Sequence, residues 1–140
     1  MEGLGAASSV IAVVDISIKV VTICSQYYKA VSSARDDIQR LENQVRGLQT
    51  TLNRAREVIE SPENDSLSAS REFSNQLDGC WATLHELLSK LEPNKGHSTM
   101  RQFGLRALKW PFSRKEMDRT MSVLEQYQRR MMDSLQVDQT

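Results

Sequence analysis

The chain opens with a long apolar run. Between Leu4 and Val31 most positions are apolar, and many of the residues are β-branched. The few polar side chains recur mostly every three or four residues, which is the spacing of one helix face; they are Ser8, Asp15, Lys19, Thr22, Gln26, Lys29 and Ser33. The pattern predicts a helix with a narrow polar stripe. A helix this apolar must be buried on most sides, in a protein core or in lipid.

A heptad pattern follows a short polar joint at residues 32–35. Its apolar residues alternate steps of three and four, which is typical of a helix that packs lengthwise on its neighbours; they are Ile38, Leu41, Val45, Leu48, Leu52, Ala55 and Ile59. We interpret this stretch as a bundle helix, with a homodimeric coiled coil as the alternative. We expect Val13, Val20 or Val21, and Cys24 to be buried against this seam.

A third helix is predicted roughly from Ser68 to Glu92, after a polar break that contains proline. Its Trp81 is expected in the core, against the first helix. Another break precedes a short amphipathic segment from Met100 to Leu108, which we interpret as a short helix.

The last helix is predicted to begin after the sequence Trp110-Pro111-Phe112. Proline disfavours helix at the residue before it, so this junction stops the preceding segment. Ser113 and Glu116 have the spacing of a capping box, which marks the start of a helix. That helix runs to about Leu135, with apolar residues, several of them methionine, along one face.

These elements predict an all-α fold, because no strand pattern occurs in the sequence. Short connections between long helices imply antiparallel neighbours. We therefore expect an antiparallel bundle of four long helices plus the short helix before the Trp-Pro-Phe junction. A length of 140 residues suggests a single domain over residues 1–140. The last residues carry no stop signal, so we expect a domain cut from a longer chain.

Composition argues against several functional classes. Eighteen basic and eighteen acidic residues balance, so net charge does not indicate nucleic-acid binding. Cys24 and Cys80 occur in no paired pattern and are interpreted as reduced core residues, and together with His85 and His97 they lack zinc-site spacing. Phosphate-binding loops, zinc-protease motifs and nucleophile elbows are also missing from the sequence. We expect a protein that is not an enzyme and that needs no cofactor or metal.

For the first helix, the free-energy cost of inserting its charges into lipid roughly equals the gain from its apolar residues. The stretch does not resemble a signal peptide, because the chain starts with an acidic residue, Glu2, and the apolar run contains Asp15 and Lys19. Each central charge costs about 2.5–3.5 kcal/mol on insertion, while each Val or Ile returns only about 0.3–0.6 kcal/mol. An oligomer with these charges facing a wet interior could insert. The candidates for entering lipid are Leu4, Val10, Ile11, Val13, Val14, Ile16, Ile18, Val20, Val21 and Ile23.

Basic residues cluster around the Trp-Pro-Phe junction. The candidates for binding lipid head groups are Arg106, Lys109, Arg114 and Lys115. A solvated helix face is the simpler interpretation. The functional one is contact with anionic lipids, at about 1 kcal/mol per residue near the surface.

Two stretches carry a resemblance to a known family. The first runs into the heptad helix through Tyr27, Tyr28, Ala30, Val31, Ala34, Asp37, Ile38, Leu41, Val45 and Leu48, with Gln44 where the family pattern favours Glu. The second is the junction from Leu108 to Ser113. Together they resemble the N-terminal HeLo-like domains of fungal NLR-like STAND proteins.

The resemblance implies a helical bundle related to the HET-S cell-death domains and to the four-helix domain of mixed-lineage kinase domain-like protein. It implies heterokaryon incompatibility or programmed cell death, executed at membranes once a downstream NACHT or NB-ARC module oligomerises. The expected partners are other copies of the chain, anionic lipids and that module. We expect the domain in the cytoplasm at rest and at the plasma membrane when active. The alternative is a non-toxic adaptor, self-association or coiled-coil assembly domain.

Overall fold

A computed structural model describes residues 6–31, 33–60, 71–92 and 109–139. These ranges contain four helices: α1 (Ala6–Ala30), α2 (Arg35–Glu60), α3 (Arg71–Leu91) and α4 (Arg114–Gln139). No strand occurs in them, so the all-α prediction is confirmed. The short helix expected from Met100 to Leu108 lies outside the described residues.

The four helices pack as a square in which α1 and α4 occupy opposite corners. Both of them contact α2 and α3. Helices α1 and α2 are antiparallel, as expected: Ser25 near the end of α1 bonds to Glu42 in the first third of α2. Helices α3 and α4 are antiparallel too, since Lys90 near the end of α3 lies against Phe112 just before α4. Helices α2 and α3 are also joined in sequence, but their described residues lie at opposite corners and do not pack on each other, so the expectation of antiparallel neighbours is wrong for that pair. The pair α1 and α3 is parallel, because the Tyr27 hydroxyl near the end of α1 reaches the Leu91 carbonyl at the end of α3.

The heptad seam of α2 lies in the centre of the core. Its first six apolar positions, Leu48 among them, are fully buried, and Val13, Val20, Val21 and Cys24 of α1 belong to the same core. The seam prediction is therefore confirmed up to Ala55. At the end of the helix Val58 is buried, and Ile59 is half-buried and packs against the core.

The predicted apolar line of α4 also faces the core. Met117, Leu124, Met131 and Leu135 are buried, while Met121 and Tyr127 are half-buried against them. Methionine suits this position because its flexible side chain fills irregular gaps.

The joint between α1 and α2 is a true break in the helix. The N–H of Val31 donates to the Tyr27 carbonyl at 2.8 Å and closes α1. Ala34 has a φ of 62°, in the left-handed region that residues with a side chain seldom adopt. Arg35 holds the joint, since its Nε donates to the Val31 carbonyl at 3.3 Å and its guanidinium lies 5.2 Å from the Tyr28 ring centre.

The Trp-Pro-Phe junction interrupts the helices as predicted. Phe112 is buried, and Trp110 is half-buried with its ring edge-to-face against Tyr27 at 5.3 Å. The capping box is formed: the Ser113 N–H donates to Glu116 Oε1, and the Glu116 N–H donates to Ser113 Oγ, each at 3.1 Å. This end of the bundle therefore brings together the end of α1, the end of α3 and the start of α4.

Candidate functional site

The inward face of α1 fills one corner of the core. Val10, Val13, Val20 and Cys24 are at most 1% exposed. Ser17 is also buried, and its hydroxyl donates to the Val14 carbonyl at 2.7 Å, which satisfies it within the helix. Burial raises the pKa of the Cys24 thiol to about 12, with a smaller contribution from the Glu42 carboxylate. The thiol is therefore protonated at neutral pH.

Most of the residues expected to enter lipid are hidden in this fold. Val10, Val13, Ile16, Val20 and Val21 are buried, and Val14 and Ile23 are half-buried. The expectation of a largely hidden apolar surface is confirmed for these residues. It is wrong for Ile11 and Ile18, which are 41% and 50% exposed. Leu4 lies outside the described residues.

The outer face of α1 is mixed rather than purely polar. Ile11 and Ile18 lie on the same side of the helix as the exposed Asp15, Lys19 and Thr22. These residues are exposed because α1 sits at a corner of the square and packs only on α2 and α3 among the described helices. The remaining side of α1 faces solvent whatever its residues are. The exposure of Ile11 and Ile18 was not predicted, because both isoleucines were assigned to the wide apolar surface although they lie beside the polar stripe.

Polar contacts tie the last part of α1 to its neighbours. The Ser25 hydroxyl donates to Glu42 Oε1 at 2.8 Å, and the Tyr27 hydroxyl donates to the Leu91 carbonyl at 2.7 Å. The described residues in the first two-thirds of α1 pack on the other helices through apolar side chains.

A groove of about 340 Å³ separates the start of α1 from α3 and is lined by Ser9, Ala12, Val13, Leu77, Asp78 and Trp81. Trp81 forms its rim and is 40% exposed. The expectation that Trp81 is a core residue is therefore wrong, because Leu77, Cys80 and Leu84 take the inward positions of α3. The Trp81 ring stacks instead on the exposed His85, with centroids 4.8 Å apart and planes at 17°.

The predicted basic cluster lies at the end of the bundle where α1 ends. Arg114 borders a surface hollow together with Ala34 and Arg35 of the joint, and Lys109 and Lys115 are exposed nearby in sequence. Asp36 and Asp37 line the same hollow, so this end carries both signs of charge. Arg106, the fourth head-group candidate, lies outside the described residues.

Comparison with protein families decides the chain's membership. A family model described as "Pigment biosynthesis cluster protein PigL N-terminal" matches residues 1–136. The chain belongs to this PigL_N family. No curated protein and no solved structure shows significant similarity to it.

In this PigL_N domain, α1 meets the length and composition of a membrane span. The stretch Ser8–Ala30 has 23 residues and a mean hydropathy of 1.8, and it is the one such helix in the described ranges. Of the apolar 18-residue segment that meets these criteria, 39% is buried in the fold. A core helix of a soluble protein meets the same criteria, so the finding is one of length and composition.

Metal-ligating residues do not come together in the described ranges of the PigL_N domain. No group of three or more His, Cys, Asp or Glu side chains is placed to hold an ion there. Cys24 and Cys80 are buried free thiols, as interpreted from sequence, and His97 lies outside the described residues.

Proposed function

We propose that this PigL_N domain is the N-terminal effector or signalling domain of a fungal immune-type STAND receptor. On oligomerisation driven by a downstream NACHT or NB-ARC module, α1 leaves the bundle, enters the plasma membrane and permeabilises it. At rest the domain is cytoplasmic. The observation that carries the proposal is α1 itself, a helix with the length and hydropathy of a span, of which less than half is buried.

The way α1 is held supports its release. Its described residues in the first two-thirds pack through apolar side chains, and Ser25 and Tyr27 near its end hydrogen-bond to other helices. Apolar side chains that leave the core enter an equally apolar environment in lipid, whereas a hydrogen bond broken on the way finds no new partner there. A movement that swings the start of α1 outward and displaces its end least is therefore the least costly one.

The joint is well placed to act as a pivot for that movement. Ala34 holds a left-handed conformation there, and a few residues at the end of an element commonly absorb the dihedral changes of a hinge. Arg114 lies beside the joint, and Lys109 and Lys115 are near it in the chain. Basic residues flanking a span favour the cytoplasmic side. This arrangement supports insertion with the N-terminus crossing the bilayer and the joint remaining at the anionic inner surface.

The charges of α1 explain why insertion would require several copies. Asp15 and Lys19 are near the middle of the Ser8–Ala30 stretch, and each costs about 2.5–3.5 kcal/mol on a lone helix. In an oligomer the two charges can face a wet interior or a partner of opposite sign. The proposal therefore couples membrane entry to self-association.

A dye-release assay on anionic vesicles tests the proposal with two matched variants. Ile18→Glu adds a charge to the span at a position that is 50% exposed in the fold, so the bundle is expected to remain intact. Met132→Glu adds the same charge to α4 at a position that is 42% exposed. We expect the oligomerised chain to release dye, Ile18→Glu to release much less, and Met132→Glu to match the unaltered chain.

Circular dichroism and size-exclusion chromatography confirm that both variants are folded. If the folded Ile18→Glu chain releases dye as well as the control, or if the unaltered oligomer never does, membrane permeabilisation by α1 is wrong. A truncation that removes residues 1–9 gives a second test, because it shortens the span without adding charge.

The second candidate is a non-toxic interaction domain that recruits a partner or associates with itself. The outer face of α1 favours it, because Ile11 and Ile18 are exposed there beside charged residues. The family description names an N-terminal region of a pigment biosynthesis cluster protein, which is compatible with an adaptor as well as with an effector. Self-association without dye release would favour this candidate.

A further inference from the structure

The outer face of α1 has the spacing of a helix-pairing seam. Ile11, Asp15, Ile18 and Thr22 are all exposed and lie at steps of four, three and four residues. That is the spacing with which a helix lines up against another helix. The inward seam of α1 already contacts α2 and α3, so this second seam is unoccupied within the described part of the chain.

The charges on this face have no ion-pair partner among the described residues. Three other acid–base pairs with the same spacing and order form ion pairs: Glu42–Arg46 at 3.4 Å, Glu86–Lys90 at 3.4 Å and Glu125–Arg129 at 3.0 Å. Asp15 and Lys19 form no such pair with each other or with another described residue. A carboxylate and an ammonium, one turn apart and both exposed, are therefore available to an outside partner.

We propose that the outer face of α1 binds the same face of a second copy of the chain in antiparallel register. Asp15 of each copy pairs with Lys19 of the other. The proposal goes beyond the proposed function, because it concerns the folded domain before α1 leaves the bundle, and it names the surface on which two copies meet.

Charge complementarity points to a second copy rather than another partner. When two identical helices run antiparallel about a two-fold axis, residue i of one meets residue j of the other and the reverse. An acid followed by a base four residues later then forms two ion pairs, one on each side of the axis. In this register the axis passes between Asp15 and Lys19. The two copies of Ile18 meet beside it, and Ile11 packs near Thr22 of the second copy.

In the same register, the contact with the second copy buries the exposed isoleucines. Apolar residues near the centre of a contact, flanked by charges, are the usual anatomy of an interface between proteins. Ile18, the more exposed of the two at 50%, falls at the centre, and the charges lie on either side.

Charge-reversed variants test the pairing by sedimentation equilibrium over a series of protein concentrations. Asp15→Lys places lysine against lysine at both contacts, and Lys19→Asp places aspartate against aspartate. We expect each variant alone to dimerise at least about tenfold more weakly than the unaltered chain. Mixing the two variants restores opposite charges, so we expect a mixed dimer. The double variant D15K/K19D is expected to dimerise by itself.

Glu125→Lys and Arg129→Glu provide the matched control, because that pair is equally spaced and exposed on α4. We expect these reversals to leave dimerisation unchanged. A chain that stays monomeric at every concentration, or a dimer that the α1 reversals do not weaken, overturns the proposal.

The outcome is separable from that of the proposed function. D15K/K19D keeps the same charges within the span, so the burden on insertion is unchanged. Dye release by a chain that does not pair through α1 would sink the interface alone. A dimer with the expected charge dependence but without dye release would sink membrane permeabilisation alone.

Discussion

At the scale of single residues, the start of α4 depends on a reciprocal pair of hydrogen bonds. Ser113 and Glu116 each accept from the other's backbone N–H at 3.1 Å. The first N–H groups of a helix have no partner within the helix, so such bonds stabilise its first turn. The hydrogen bonds from Ser113 also lower the pKa of the Glu116 carboxyl, since they favour its charged form.

Replacing Ser113 by alanine should destabilise the domain. We expect Ser113→Ala to lower the free energy of unfolding by about 0.5–2 kcal/mol, because an orphan N–H loses its acceptor. Urea unfolding followed by circular dichroism measures the change. Ser122→Ala, at an exposed interior position of α4, is the control and should change stability little. Equal stability of the two variants would contradict the role of the cap.

The same box makes part of the stability depend on pH. Because the pKa of Glu116 is lower in the folded state than its ordinary value of 4.5, its contribution is present above pH 4.5 and is lost as the pH falls through the folded pKa. We expect Glu116→Gln to remove that part of the acid dependence. Unfolding curves at a series of acid pH values measure this dependence. Identical profiles of stability against pH for the unaltered chain and Glu116→Gln would contradict the prediction.

At the scale of elements, α3 meets the Tyr127 side chain of α4 at Gly79. A Cβ built on Gly79 would lie 2.8 Å from Tyr127 Cζ, closer than packed atoms come. Glycine is therefore needed there although it weakens a helix interior. Gly47, where α2 meets α4, is different, because a Cβ there lies 3.3 Å from the flexible Gln128 amide.

These two glycines should respond in opposite ways to alanine. We expect Gly79→Ala to lower the free energy of unfolding, because the Tyr127 ring must move. We expect Gly47→Ala to be neutral or stabilising by up to about 1 kcal/mol, since alanine is the better helix former. Thermal unfolding of both variants measures the difference. A Gly79→Ala chain as stable as Gly47→Ala would show that the Tyr127 ring moves aside at no cost.

At the scale of the whole molecule, charge is arranged relative to the span of α1. The head-group candidates Lys109, Arg114 and Lys115 are exposed around the end where α1 stops. The start of α1, with its exposed Ile11, points to the opposite end. The two features proposed for membrane action are therefore separated along the length of the bundle.

Neutralising the basic end should weaken binding to anionic vesicles. We expect the triple variant K109Q/R114Q/K115Q to bind less, and added salt to weaken binding of the unaltered chain more than that of the variant, because salt screens exposed charges. Vesicle flotation measures both. The control variant R71Q/R129Q/R130Q removes the same charge from exposed residues of the opposite end and should bind nearly normally. Equal loss in the two variants would indicate attraction by net charge alone.

Local sequence patterns were sufficient for the elements themselves. The helix breaks, the α2 seam and the capping box depend on residues a few positions apart, and backbone hydrogen bonding makes that spacing physically decisive. Leu48 is buried and Ser113 caps α4 because the heptad and the box impose those positions. At the end of the seam Ile59 is half-buried against the core, and its neighbour Val58 is buried.

The tertiary structure decided what lies on the outside. Trp81 forms the rim of a groove, and Ile11 and Ile18 face solvent, because two neighbours cover α1 and α3 from only part of their circumference. No spacing along the chain encodes from which direction a neighbour arrives. The parallel pairing of α1 with α3, and with it the position of Arg114 beside the joint, likewise follows from packing four amphipathic helices into one square. The sequence therefore determines which residues are available for the candidate functions, but only the fold determines which of them share an exposed surface.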